Sequence, residues 1–88
     1  MTFRESEMYK IRAFVKTYLY LKGEATSKQL STALNSINLA IRDGVTPNEM
    51  TRLLMNTMSS KNKHFLDDLS FRKKGNTRIW YLKKEGDL

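Results

Sequence analysis

Gly75 and Asn76 separate two short runs in which apolar and polar residues alternate, and no other feature of the 88-residue chain constrains the fold as tightly. A two-residue loop with glycine, set between alternating runs, specifies a tight antiparallel hairpin. With Lys74 opposite Thr77, Lys73 faces Arg78, Phe71 faces Trp80 and Leu69 faces Leu82. Cross-strand partners share a face, so Leu69, Phe71, Trp80 and Leu82 line one apolar side. Arg72, Lys74, Thr77, Ile79 and Tyr81 fall on the other. A slip by one residue scatters the apolar set, so the pattern selects this register.

Upstream of the hairpin the period changes from two to 3.6. Met8, Ile11, Val15, Tyr18, Leu19 and the stem of Lys22 share a helical stripe, with Phe14 at its edge. Thr2 with Glu5 is suited to a capping box, and Gly23 to the stop, which predicts a first helix over about 4–22. A second capping box, Thr26 with Gln29, opens a helix whose stripe is Leu30, Ala33, Leu34, Ile37 and Ile41. The stripe predicts a long helix reaching Arg42 before Asp43-Gly44. The alternative is an end near Asn35, because Asn35, Ser36 and Asn38 are weak helix formers, but the longer helix is the expectation. The third helix has the clearest start: Thr46 as N-cap, Pro47 at the first helical position and Glu49 closing the box. Met50, Leu53, Leu54, Thr57 and Met58 face inward. Asn48, Arg52, Met55 and Ser59 lie opposite, flanked by Thr51 and Asn56.

A chain of this size makes one small domain, expected over 1–84, with 85–88 as a short tail. There is no cysteine, so neither a disulfide nor a thiolate zinc site helps to hold it, and with one histidine no metal or cofactor is expected. Apolar runs such as Ile79 to Leu82 are far too short for a membrane span. Arg4, Glu5 and Glu7 near the start have no apolar stretch behind them, so no secretory signal is expected and the cytosol is the expected compartment, with association to the nucleoid if the chain is bacterial, archaeal or phage-encoded. Asp67 and Asp68, read as neighbours in a strand, point to opposite faces and do not make a metal pair. His64 has no visible nucleophile to serve. Without a phosphate-binding glycine loop, a nucleophile motif or a paired acid and base, no enzyme and no small-molecule ligand are expected.

The charge gives the first positive indication of function. Sixteen basic and nine acidic residues leave a net charge of +7. Residues 61–84 carry eight basic side chains against Asp67 and Asp68, a balance of +6, whereas residues 1–60 carry eight against five, a balance of +3. Such a concentration suits a polyanion.

Three short helices followed by a basic hairpin resemble the winged helix-turn-helix superfamily. The likeness rests on residues 23–30 (GEATSKQL), 46–54 (TPNEMTRLL) and 73–82 (KKGNTRIWYL). These resemble, in turn, the segment that opens the second helix (often with a short strand at about Ala25), a recognition helix, and a wing. The resemblance implies an α+β, mostly helical fold: a three-helix winged helix-turn-helix with a C-terminal two-stranded β-hairpin. It implies double-stranded DNA as the partner and transcriptional regulation as the role. A protein–protein interaction module and a nucleoid-organising protein are the alternatives. The stretch from Asn35 to Val45 exceeds the usual turn between the second and third helices.

The residues themselves fit this chemistry. Asn bonds adenine and Arg bonds guanine bidentately in the major groove, and Asn48, Thr51, Arg52 and Asn56 lie on one exposed helical face. Taken alone, that face reads as the solvated side of an amphipathic helix; its place before a basic hairpin favours DNA. Lys73, Lys74, Asn76 and Arg78, with Arg72, surround the hairpin tip and suit a phosphate backbone or a minor groove. The competing role for such lysines is protection of an edge strand, to which Lys83 and Lys84 are suited. A second face of the first helix, Tyr9, Ala13, Lys16 and Tyr20, is not needed for the core stripe and is expected to join two copies as a homodimer.

Overall fold

A computed structural model describes residues 3–37, 44–60 and 66–83. Its elements are α1 (Glu5–Lys22), β1 (Glu24–Thr26), α2 (Ser27–Asn35), α3 (Pro47–Ser59), β2 (Leu69–Lys74) and β3 (Thr77–Leu82). They form a small α+β domain, mostly helical, with three helices and one antiparallel sheet.

The hairpin adopts the register expected from its alternation, from Leu69 opposite Leu82 to Lys74 opposite Thr77. Gly75 at its tip has φ +63°, a conformation in which a Cβ is strained. The sheet, however, has three strands rather than two. β1 pairs antiparallel with β3, placing Ala25 opposite Trp80, so β3 is central in the order β1-β3-β2. Glycine supplies the link: Gly23, at φ +92°, caps α1 by donating its amide to Leu19 O and turns the chain into β1.

The α1 stripe is buried at Ile11, Val15 and Leu19, while Lys22 is exposed. The helix begins two residues later than a Thr2–Glu5 box requires. Arg4 is its N-cap, and Glu7 Oε1 accepts the Arg4 amide at 3.0 Å; Thr2 lies outside the described residues. Helix α2 opens on its expected box, Gln29 accepting the Thr26 amide and Thr26 Oγ1 accepting the Gln29 amide. It ends at Asn35, so a continuous helix to Arg42 is ruled out; Ile41 itself lies outside the described residues. The cause is side-chain competition with the helical ladder. Ser36 Oγ donates to Ala33 O, and Asn35 brackets Val45, donating to its carbonyl at 2.8 Å and accepting its amide at 2.9 Å. Ile37, on the extrapolated stripe, is 44% exposed. In α3, Thr46 and Glu49 form the expected box around Pro47. Asp67 and Asp68 sit in a turn before β2 rather than in a strand.

The core lies between the inner face of the sheet and the three helices. Trp80 is fully buried, with Ile11, Val15, Leu30, Leu34, Met50, Leu54 and Leu66 around the same cluster. Phe71 tilts against Trp80 with ring centroids 5.2 Å apart. That core cluster includes residues of both the hairpin and α3.

Candidate nucleic-acid interface

On α3 the inward stripe of Met50, Leu53, Leu54 and Thr57 is buried, which turns Asn48, Arg52 and Asn56 outward, all exposed. Met55, expected on the outer face, is half-buried and packs against the edge of the core. Thr51 is half-buried too. Its hydroxyl lies 2.6 Å from Ser27 Oγ, which in turn accepts the Trp80 indole N–H at 2.9 Å. Thr51 therefore belongs to a chain of hydrogen bonds from β3 through the first residue of α2 to α3.

The opposite flank of α3 is tied to α1. Arg12 donates from Nε to Thr57 Oγ1 at 3.1 Å, and the Thr57 hydroxyl donates to Leu53 O at 2.8 Å. Partial burial holds the Arg12 guanidinium below its ordinary value, an effect that the nearby Glu5 charge opposes. At the start of α3 the Thr46 amide holds Glu49 below the usual carboxylate range, outweighing the smaller effect of partial desolvation. Glu49 is thus charged at neutral pH and placed at the positive end of the helix.

At the hairpin, Lys73, Lys74 and Asn76 are exposed. Lys74 is on the outer face of the sheet, and Lys73 and Arg78 are a cross-strand pair on the inner face, tipward of Phe71 and Trp80. Arg78, expected to be exposed, is half-buried because its guanidinium stacks 5.4 Å from the Phe71 ring centroid. Its Nε is buried with no hydrogen-bond partner among the described residues. Arg72 differs from the other cations. It reaches diagonally across β3, over the Tyr81 ring, to Glu24 Oε1 at 2.7 Å. Among the described residues no carboxylate pairs with Lys73, Lys74 or Arg78. Tyr81 is half-buried beneath Arg72.

Ser27 and Arg12 were not singled out from the sequence. A signal for Ser27 exists: a buried indole N–H needs an acceptor, and a hydroxyl just inside a helix start beside a paired strand is a natural one. Arg12 has no such signal. On α1, Tyr9 is 62% and Tyr20 81% exposed, while Ala13 is half-buried. His64 lies outside the described residues.

Among the described residues no helix is long and apolar enough to cross a membrane, and no group of three or more His, Cys, Asp or Glu side chains is placed to hold a metal ion. Comparison with protein-family models, with curated proteins and with solved structures finds no match to this chain.

Proposed function

We propose that the chain is a winged helix-turn-helix protein that binds double-stranded DNA and acts as a small transcriptional regulator. In this reading α3 enters the major groove, with Asn48, Arg52 and Asn56 toward base edges, and the β2–β3 hairpin lies on the backbone or in the minor groove. A helix fits the width of the major groove, and Asn and Arg are the side chains suited to bidentate base contacts.

One observation carries the reading. The hairpin whose tip bears Lys73, Lys74 and Arg78, unpaired with any described carboxylate, is keyed to α3 through Trp80, Ser27 and Thr51. Two elements that must engage one duplex together are thereby held at a set spacing, so little ordering is left to be done on binding. The +7 net charge assists encounter with a polyanion.

Fluorescence anisotropy with a labelled duplex selected from a random pool, and with a scrambled duplex, tests this. Arg52→Ala is expected to weaken the selected site by about 1–3 kcal/mol and the scrambled one by less. Equal losses on both would make Arg52 a phosphate contact, and absence of any duplex binding by the wild-type chain would refute the proposal.

A further inference from the structure

The hairpin's two arginines are held by different means. Arg72 has a carboxylate, Glu24. Arg78 has none among the described residues and rests on an aromatic ring: its guanidinium lies 5.4 Å from the Phe71 ring centroid, and its Nε is buried without a hydrogen-bond partner. A solvated arginine hydrates every N–H, so a side chain that gives one up while stacked is constrained by its surroundings. The constraint can be traced inward. The Phe71 ring tilts against Trp80 at a centroid distance of 5.2 Å, Trp80 is fully buried, and its indole N–H donates to Ser27. Arg78 thus stands at the outer end of a row that begins at the start of α2. It lies two residues tipward of Trp80 on the inner face of the sheet, the face on which Ser27 meets Thr51 of α3.

We infer that Arg78 contacts a backbone phosphate of the duplex and that Phe71 is the positioning residue that presents it. The inference rests on the DNA reading above and decides between the two targets, backbone and minor groove, which that reading leaves open to the hairpin. Entering a minor groove takes a cation that extends from the tip between the two strands of DNA. Arg78 is instead laid across the ring of a residue on the neighbouring strand and is half-buried there. With Nε buried, the contact falls to the terminal Nη1 and Nη2. Stacking leaves these in-plane N–H groups open, and a planar fork held in one orientation matches two oxygens of one phosphate. Phe71 then does more than pack: it orders a long side chain before binding, whereas the exposed Lys73 and Lys74 become ordered only on contact.

The test is a double-mutant cycle on duplex affinity, read by anisotropy over a range of salt on the selected and the scrambled duplex, with circular dichroism to check the fold of each variant. Arg78→Gln is expected to lose about one unit of slope in log affinity against log salt, and the same factor on both duplexes. Phe71→Leu keeps every charge, so its slope is expected to match the wild type while affinity falls about three- to tenfold, from ordering one long side chain on binding. The double variant is expected to lose no more than Arg78→Gln alone. Arg78→Lys keeps the charge without the planar fork and does not touch the core; it too is expected to keep the slope and lose affinity. In the wild type, the Arg78 Nε–H proton is expected at a ring-shifted NMR frequency that duplex leaves in place. Additive losses in the cycle, wild-type affinity in Phe71→Leu or Arg78→Lys, or loss of the ring shift on binding would each overturn this inference alone. So would a larger effect of Arg78→Gln on duplexes with narrow A-tract minor grooves. A wild-type chain that binds no duplex would refute the DNA reading, and this inference with it.

Discussion

The Trp80 indole N–H donates to Ser27 Oγ at 2.9 Å across 53 positions of sequence, and the same oxygen lies 2.6 Å from Thr51 Oγ1. One hydroxyl therefore serves a buried aromatic of the central strand and a half-buried threonine of α3. Ser27→Ala leaves the N–H of the buried Trp80 indole without its acceptor. The expected loss is about 1–3 kcal/mol of unfolding free energy, read from urea titration. Thr51→Val, which keeps the shape and spares the Trp80 bond, is expected to cost less. If Ser27→Ala is neutral, the hydrogen-bond chain does not hold α3 to the sheet.

Glu24 and Arg72 provide a prediction of opposite sign for DNA. Their ion pair is half exposed, so Glu24→Gln is expected to change stability by no more than about 0.5 kcal/mol. It releases the Arg72 guanidinium and removes a negative charge beside the hairpin. Duplex affinity is expected to rise, with a salt dependence steeper by about one. Weaker duplex binding in this variant would show that Arg72 acts on DNA only while Glu24 positions it, and unchanged binding would show that the outer face of the sheet is not approached.

The route from sequence to these elements differs from one to the next. The hairpin was readable because alternation and a glycine loop constrain the same register, and α3 because three start signals coincide at Thr46, Pro47 and Glu49. The end of α2 was harder to read, because the spacing of Ile37 and Ile41 continues a helical stripe that the backbone does not follow. What ends the helix is the bond pair between Asn35 and Val45, a contact ten residues apart that periodicity does not register. The third strand was signalled only through the resemblance, since three residues carry no measurable alternation. The same limit applies to the candidate site. Residue type and helical angle turned Asn48, Arg52 and Asn56 outward, but equally offered Thr51, whose hydroxyl is engaged with Ser27, and left Arg72 among the available cations, although it is paired with Glu24.

Asn35→Ala removes both bonds to Val45 at once and leaves a backbone amide and carbonyl beside the core without those partners. The expected destabilisation is about 1–3 kcal/mol by urea titration. Asn35→Asp retains an acceptor for the amide and is expected to fall between. An Ala variant as stable as the wild type would mean that solvent replaces both bonds.

Acid sensitivity follows from Glu49. Its carboxyl lies below the ordinary value of 4.5 in the folded chain, chiefly because of the Thr46 amide. A lowered folded value means that its stabilisation is present in full above the unfolded value and is lost as pH falls through the folded one. Glu49→Gln keeps the capping geometry but cannot titrate. It is expected to flatten the acid limb of the stability profile below about pH 4.5, with an amplitude on the order of 0.5 kcal/mol once solvent screening at this partly exposed site is allowed for. Identical acid limbs for both proteins would assign the transition to other carboxylates.

The most direct measurement of the DNA reading is the salt dependence of duplex affinity for the wild type and for Lys73→Ala, Lys74→Ala, two exposed side chains whose removal should leave the fold unchanged. If both lysines touch phosphate, a plot of log affinity against log salt loses about one unit of slope per lysine, and affinity falls most at low salt. An unchanged slope and affinity in the folded double variant would contradict DNA binding through the hairpin.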